Sequence, residues 1–459
     1  MVLKRVLGAT DAAWLVAGNM IGAGIFITPG LVAGALPDAL WSLIAWSLGG
    51  ALALAGAAVY GELGSRLPSA GGDYQYLNAA FGPLWGFLTG WAALLVTFSG
   101  AAAVMAIVTL DNLATAWPAL MRLPGVARAF LPAIAVLLLT SANVAGARVA
   151  GRATAWLTAL PVAGLVVLFG VGLLGGGSLG AGPQGALQSA PPAATGLDAS
   201  IIGFGAAMVP VFFTYSGWNA AAYVAGEIEH PAHNLPRGLL LGTLGTTVFY
   251  VVFNGFLLWI LPRAVMAGST TSAAQAAQQL LGDGAERVLA LLVALAVLGS
   301  ANVTLMAGAR IYYAMALDRL APRALSTTND AGVPSTALWT GGLWTALLAT
   351  SGRIETLVNW ATLAILMLSS LAVLALFVLR RAATPPDGPV RLYRCPGYPV
   401  TPLLYLLVAL GVAVASAVRD WRQALYGIGV VAAGIPVYAL LRWRQTRRDT
   451  ASLPGSPVG

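Results

Sequence analysis

The first long apolar segment of this chain, residues 11–36, contains a cluster of glycines that limits how it can fold. Gly18, Gly22 and Gly24 lie close together, and each glycine weakens a helix by roughly 1 kcal/mol relative to alanine. The segment is long enough to cross a bilayer, where a freed backbone amide finds no water to bind. Such a break is tolerated only where it faces protein, water or a ligand, so the segment predicts a binding site. The alternative is that the glycines only let two helices pack closely.

The composition is that of an integral membrane protein. Of the 459 residues, 58% are hydrophobic and 9% are charged, whereas soluble domains carry about 25% charged residues. The arginines are scattered through short loops, which excludes the basic face of a nucleic-acid-binding protein. The two histidines, His230 and His233, share one polar loop, so the sequence predicts neither a metal site nor a cofactor.

Apolar runs of about 20 residues predict the membrane spans. There are twelve, at residues 11–36, 39–66, 84–112, 126–146, 153–175, 199–228, 236–262, 284–317, 335–351, 355–379, 400–418 and 423–443. With the N-terminus inside, 17 of the 24 lysines and arginines fall on the cytoplasmic side. This bias predicts a multi-pass protein of the cytoplasmic (inner) membrane with both termini in the cytoplasm.

We expect residues 1–459 to form a single transmembrane domain. Its parts are a first repeat at about 8–175, an external linker at 176–197, a second repeat at about 198–380, extra spans at 400–443 and a polar tail at 445–459. The linker is rich in Gly, Pro, Ala and Ser, and neither the linker nor the tail buries enough apolar surface to fold alone.

A second weakened segment lies in the sixth span. Thr214, Ser216, Gly217 and Asn219 place small and polar side chains near its middle. Serine and threonine can bond back to their own helix, so a bent but continuous helix is the alternative. The two weak segments lie in spans 1 and 6, which are corresponding positions of two five-span halves. Interrupted spans at matching positions indicate a transporter with inverted repeats.

In that architecture the ends of the half-helices meet near the middle of the membrane. Amides at a half-helix N-terminus attract an anionic carboxylate, and unpaired carbonyls attract a cation. A zwitterionic amino acid offers both charges. The predicted span centres contain no Asp, Glu, Lys or Arg, although a carboxylate relay or a polycation carrier would place an acid in its pathway. The pattern therefore favours a net-neutral solute.

Six motifs in order resemble those of the amino acid–polyamine–organocation superfamily of permeases, over about residues 8–415. They are residues 22–26 (GAGIF), 60–74 (YGELGSRLPSAGGDY), 213–219 (FTYSGWN), 227–237 (EIEHPAHNLPR), 310–316 (RIYYAMA) and 393–399 (YRCPGYP). The third is most similar to the sixth-span motif of L-type amino acid transporters and their bacterial relatives. The resemblance implies an all-α membrane protein with the LeuT-type fold: a 5+5 inverted repeat with broken spans 1 and 6, plus two C-terminal spans.

The resemblance also implies a substrate site built on both breaks. The substrate carboxylate is expected on the backbone amides of the Gly22–Ile25 segment, those of Ala23, Gly24 and Ile25. The amino group is expected on carbonyls near Ile21 and of Phe213 and Ser216. Phe213 matches the aromatic that closes over the substrate as a gate, with a lipid- or core-facing aromatic as the alternative. Ala23 stands where serine is common, so capture of the carboxylate is expected to rest on backbone.

Further residues match positions around that site. Trp218 and Asn219 match pocket-lining residues, and Trp360 resembles a tenth-span position near the pocket. Tyr250 and Asn254 resemble a seventh-span pair that connects to the site, and a helix–helix hydrogen bond is the alternative for Asn254.

The residues of spans 5 and 8 do not decide whether the protein binds sodium. Residues 158–162 contain no lysine, although several ion-independent relatives carry one there. Ser300, Asn302 and Thr304 could supply sodium oxygens beside the first break, unless their hydroxyls bond back to the helix. Pro161 is shared with arginine/agmatine antiporters, but those carry a glutamate where this chain has Asn219.

The sequence therefore predicts a secondary transporter that moves neutral L-amino acids by alternating access, through exchange or proton- or ion-linked uptake. A basic amino acid or polyamine antiporter is the alternative. An enzyme is not expected, because the spans offer no convergent acid, base, nucleophile or metal ligands. The expected partners are the small-molecule substrate and the lipid bilayer. The single cysteine, Cys395, predicts no disulfide-linked partner subunit.

Overall fold

A computed structural model describes the backbone of residues 3–174, 197–269, 271–351, 354–382, 392–419 and 421–451. Over these ranges the chain is helical apart from turns, loops and one bridge between two isolated residues. Eight of the described helices are long and apolar enough to cross a membrane, and a bent pair at Ala9–Ala35 makes a ninth span. The expected all-α membrane fold is confirmed.

Each predicted span corresponds to a helix or to a pair of helices. They are span 1 (Ala9–Met20 and Gly24–Ala35), span 2 (Ala39–Arg66), span 3 (Pro83–Ala92, a π-helical turn Ala93–Thr97, and Phe98–Ala116), span 4 (Gly125–Val144), span 5 (Ala147–Leu174), span 6 (Leu197–Thr214 and Ala220–Tyr223), span 7 (Pro231–Ile260), span 8 (Ala285–Leu317), span 9 (Ser335–Thr350), span 10 (Ile354–Ala382), span 11 (Val400–Arg419) and span 12 (Trp421–Ala432 and Gly434–Ala451). Short helices between spans cover Asp73–Phe81, Arg263–Met266 and Ser272–Leu281.

The sequence predicts span 12 as one continuous run that ends at residue 443, and the structure differs from this prediction. Span 12 consists of two helices that meet at Ala433, because Pro436 has no N–H for the carbonyl of Ala432. The second helix continues to Ala451, into the expected polar tail. The expected external linker lies outside the described residues except for Leu197, which begins span 6. The repeat boundaries stay predictions.

Span 7 packs against span 1 through small residues. A Cβ added at Gly238 would lie 2.3 Å from the Cβ of Ala12, and one added at Gly242 would lie 2.6 Å from the carbonyl oxygen of Ala13. Glycines four residues apart let two membrane helices approach backbone to backbone, which is a main source of helix association in lipid. Spans 1 and 7 therefore form one tightly packed unit.

A buried ion pair closes the bundle on the side where residues 3–7 lie, called here the N-terminal side. The Arg310 guanidinium of span 8 donates to both carboxylate oxygens of Glu227, at 2.6 and 3.0 Å, and neither side chain is exposed. The carbonyl of Glu227 accepts the N–H groups of Val6 and Leu7, at 2.9 and 3.0 Å. Glu227 thus joins span 8, the end of span 6 and the N-terminal segment.

Replacing Glu227 with alanine should strongly destabilise the protein. Removing one partner leaves the Arg310 charge buried and unpaired, which costs about 3–5 kcal/mol. We expect a lower melting temperature for the purified protein in detergent. The control is Glu229→Gln, because Glu229 is exposed two residues away and should melt like the wild type. The double variant Glu227→Leu/Arg310→Met should recover stability, and an unchanged melting temperature for Glu227→Ala would contradict this reading.

Candidate substrate site

The first span is broken at Ile21–Ala23, as predicted. The first half-helix, Ala9–Met20, ends at the break. The N–H of Ile21 still donates to the carbonyl oxygen of Ala17, at 2.8 Å, but the backbone of Ile21 is no longer helical. The second half starts at Gly24, and the two axes differ by 52°. The first amides of a helix have no partner within it, and they carry its positive dipole end. The amides of Gly24 and Ile25 therefore form a potential anion site.

The sixth span is also broken, between Thr214 and Ala220, which excludes the continuous-helix alternative. Gly217 in this turn has a φ of +98°, a conformation that favours glycine. A Cβ at Gly217 would lie 2.7 Å from the Asn19 side-chain nitrogen and 3.0 Å from its carbonyl oxygen. The two breaks are therefore in direct contact, and the contact requires a glycine.

Tyr250 of span 7 holds both breaks. Its hydroxyl lies 2.5 Å from the carbonyl oxygen of Met20 and 3.3 Å from that of Thr214, the last helical residues before each break. The side chain is fully buried. Tyr250 thus contacts both breaks, and its role at the substrate site stays a prediction. The amide of Asn254 donates to the carbonyl of Tyr250 in its own helix, at 2.8 Å.

Span 8 supplies further donors to the first break. Ser300 Oγ donates to the Asn19 carbonyl at 2.9 Å, and Thr304 Oγ1 lies 2.9 Å from Asn19 Oδ1. Ser300 and Thr304 thus lie where the sequence placed them. Whether they bind sodium stays a prediction, and no cluster of His, Cys, Asp or Glu suited to a metal occurs among the described residues.

The expectation that Asn302 lies beside the first break is wrong. Its amide donates to Thr154 Oγ1 at 2.9 Å, and its Oδ1 accepts from Asn143 at 2.7 Å. Residues 300 and 304 share one face of a helix, whereas residue 302 points to the other side. Asn302 therefore joins spans 4, 5 and 8 away from the break.

A cavity of about 90 Å³ adjoins the two breaks. Its described lining contains three predicted site residues, Ser216, Asn219 and Thr304, together with Asn19, Asp73, Thr89, Thr97, Phe98, Ala101, Met105, Gly217, Tyr223, Ile365 and Leu368. The predicted carboxylate-binding residues Ala23, Gly24 and Ile25 are not part of this lining. Several hydroxyl and amide side chains face a small space, so the cavity suits a small, polar group better than a long apolar one.

Two predicted aromatic residues lie apart from this lining. Phe213 is in the last turn before the break with its side chain 42% exposed. Trp218 is buried, with its ring 4.8 Å from that of Tyr60. The gate role of Phe213 and the pocket role of Trp218 stay predictions. Trp360 lies outside the residues whose side chains are described.

The glycines of span 1 also satisfy the close-packing alternative. A Cβ at Gly18 would lie 2.6 Å from Thr154 of span 5, and one at Gly24 would lie 2.9 Å from Thr214 Oγ1 and 3.1 Å from its Cα. Gly22 has more space, with Ser300 Oγ at 3.5 Å. Breaking the helix and packing it closely are therefore two properties of one segment.

A larger cavity of about 490 Å³, called here the vestibule, lies between Ala23 and the far ends of spans 3 and 8. Asp111 and Glu286 in its wall are exposed. The N-terminal side is closed instead, by the pairing of Leu7 with Ile228 and by the Glu227 contacts. The vestibule thus reaches the first break from one side, and the N-terminal side is sealed.

Sequence reasoning missed Asp73 and Asn19. Asp73 belongs to the motif at residues 60–74 but lies outside every predicted span. The absence of charges from the span centres therefore says nothing about it. It is 6% exposed, and the Tyr223 hydroxyl donates to its Oδ2 at 2.8 Å. A carboxylate next to two glycines, with no basic residue nearby in sequence, was the signal that could have revealed its burial.

Two half-helices that meet at a buried polar cavity, with a vestibule on the side opposite the N-terminal segment, define a membrane carrier for small solutes. The chain belongs to the amino acid permease family, whose sequence profile matches residues 7–430. The resemblance to the amino acid–polyamine–organocation superfamily is thereby confirmed, and the chain is a permease and not an enzyme.

Three relatives align along nearly the whole chain. The serine/threonine exchanger SteT of Bacillus subtilis (strain 168) is 29% identical over 453 residues, 96% of this chain and 98% of the relative. The human large neutral amino acids transporter small subunit 2 is 30% identical over 447 residues, 96% and 81%. The mouse b(0,+)-type amino acid transporter 1 is 26% identical over 447 residues, 95% and 88%.

Replacing Tyr250 with phenylalanine should weaken substrate binding. It leaves the carbonyls of Met20 and Thr214 without their buried donor, and an unsatisfied buried group costs about 1–3 kcal/mol. We expect the Kd of a transported amino acid to rise roughly tenfold. The matched control is Tyr312→Phe, because the Tyr312 hydroxyl also serves a buried carbonyl, that of Ala93, but away from both breaks. Equal effects of both substitutions on Kd would refute the special role of Tyr250.

Proposed function

We propose that this permease moves neutral L-amino acids across the membrane by alternating access, through exchange or proton- or ion-linked uptake. The observation that carries the proposal is the contact between the two breaks, at Asn19 and Gly217. It brings the unpaired amides of one half-helix close to the carbonyl ends of two others. The amides of Ala23, Gly24 and Ile25 would hold the substrate carboxylate, and carbonyls near Ile21, Phe213 and Ser216 its ammonium group.

Two observations favour a neutral substrate. A volume of about 90 Å³ for the small cavity leaves little room for a long basic side chain. Two relatives are named for serine and threonine or for large neutral amino acids. The basic amino acid or polyamine antiporter is therefore less supported.

We further infer that both termini lie in the cytoplasm. The vestibule then opens to the outer face of the cytoplasmic membrane. The distribution of 17 of 24 basic residues supports this orientation. We also infer that the permease works without a disulfide-linked subunit. Cys395 is the only cysteine, it is buried, and burial raises the pKa of its thiol to about 11.

Reconstituted protein should exchange a labelled neutral amino acid across liposomes. The assay would load liposomes with unlabelled L-serine, L-threonine or L-leucine and measure uptake of the same labelled compound, with agmatine and putrescine as competitors. We expect saturable exchange with the amino acids and no competition by the amines, which lack a carboxylate. Absence of saturable flux for all twenty amino acids would overturn the proposal, and tight binding of agmatine would favour the antiporter.

Leucine at position 24 should abolish substrate binding while the protein still folds. The new side chain would enter the space against Thr214 and displace the amides that are proposed to hold the carboxylate. The control is Gly245→Leu, because Gly245 lies in span 7 with open space around its Cα and should transport normally. Surviving transport in Gly24→Leu would show that the first break is not the site.

A further inference from the structure

Asp73 is a buried carboxylate in the lining of the 90 Å³ cavity beside the two breaks, called here the substrate cavity. It begins the helix Asp73–Phe81 between spans 2 and 3, and it is 6% exposed. One oxygen, Oδ2, accepts from the Tyr223 hydroxyl at 2.8 Å. The other, Oδ1, is buried and has no hydrogen-bond partner among the described residues. Burial of a carboxylate oxygen without a partner destabilises the charged form, so this position favours a bound proton.

The groups that face Asp73 are neutral hydroxyls. They come from spans 2, 6 and 11 and from its own helix: Tyr60, Tyr223, Tyr405 and Tyr76. The charged residue beside the same helix, Asp318 at the end of span 8, bonds instead to Tyr74 and Asn78, at 2.6 and 3.3 Å. The described surroundings of Asp73 thus provide no counter-charge. A metal ion is also disfavoured, because Asp73 belongs to no group of three or more His, Cys, Asp or Glu side chains in the part of the chain that the structure describes.

A chain of hydrogen bonds links Asp73 to the second break. The Asn219 amide donates to the Tyr223 hydroxyl at 3.1 Å, and that hydroxyl donates to Asp73. Asn219 and Asp73 line the same cavity. Tyr223 also covers Gly72, where an added Cβ would lie 2.5 Å from the tyrosine ring. Movement of the short helix Ala220–Tyr223 would therefore break the bond to Asp73 and admit water.

We propose that Asp73 is a proton-binding site whose occupancy is coupled to opening of the N-terminal side of the substrate cavity. This inference rests on the proposed transport function. A proton needs no added volume beside the substrate. In this proposal the proton enters from water on the vestibule side of the membrane and leaves to the N-terminal side when that side opens.

The direction of the coupling follows from burial. In the closed structure, burial raises the pKa of Asp73 to about 6, although the hydroxyls of Tyr60 and Tyr223 favour the carboxylate. Opening would hydrate the carboxyl group and return its pKa toward the ordinary 3.8. The ratio of closed to open protein is therefore highest at a pH below 3.8. This ratio falls by a factor on the order of 100 overall as the pH rises through about 6.

The experiment measures uptake of labelled L-serine and L-leucine into liposomes, with the outer pH set between about 5 and about 8 around the expected midpoint. We expect wild-type uptake to change with a midpoint near pH 6, and a pH-sensitive dye inside the liposomes to report proton entry with the substrate. Asp73→Asn should abolish both responses. The matched control is Asp318→Asn, because Asp318 contacts the same helix through Tyr74 and Asn78. This variant should keep both responses.

A second variant covers the case in which Asp73→Asn does not fold. Tyr223→Phe removes a hydrogen bond that lowers the pKa of Asp73, so its uptake midpoint should move to higher pH. Exchange that shows no pH response in the wild type, or an unchanged midpoint in the Tyr223→Phe or Asp73→Asn variants, overturns the proton site alone. Absence of exchange at every pH overturns the proposed function itself.

Discussion

The whole architecture depends on satisfying backbone groups that two broken helices expose inside a membrane. Lipid offers no hydrogen bonds, so each freed carbonyl must find a protein partner or line a cavity. Here Tyr250 serves Met20 and Thr214, and Ser300 serves Asn19. The same rule operates in the π-helical turn of span 3, where Tyr312 and Trp344 donate to carbonyls. The amides of the second half of span 1 remain available, and this asymmetry gives the site its chemistry.

The fold and the breaks could be predicted because their signals are local. Apolar runs of about 20 residues mark spans, and the glycines of residues 18–24 weaken one helix whatever surrounds it. The face of span 8 on which Asn302 lies could also have been predicted, since helical spacing separates it from Ser300 and Thr304. The break at Ala433 could have been predicted from Pro436. The π-helical turn was not, because Ala93–Thr97 contains neither glycine nor proline.

The candidate site was only partly predictable, because its walls come from distant parts of the chain. Ser216 and Asn219 were found from their own span. Asp73 became visible only when span 6 packed a tyrosine over it, a contact across 150 residues. The environment of a side chain, and hence its charge state, is a property of tertiary packing that a motif does not contain. For the same reason Phe213 is exposed and Trp218 is buried, although both aromatic residues belong to one motif.

Glu227 bears on how fast such a carrier can work. Its side chain is bound to span 8 and its carbonyl to the N-terminal segment, so separating the N-terminal side must rupture an ion pair and two backbone bonds together. Water can solvate the separated ions only after the gap is wide enough to admit it, and until then the loss is uncompensated. The energy barrier is thus highest early in the movement. We therefore expect the opening of the N-terminal side to be a cooperative event whose rate depends steeply on temperature.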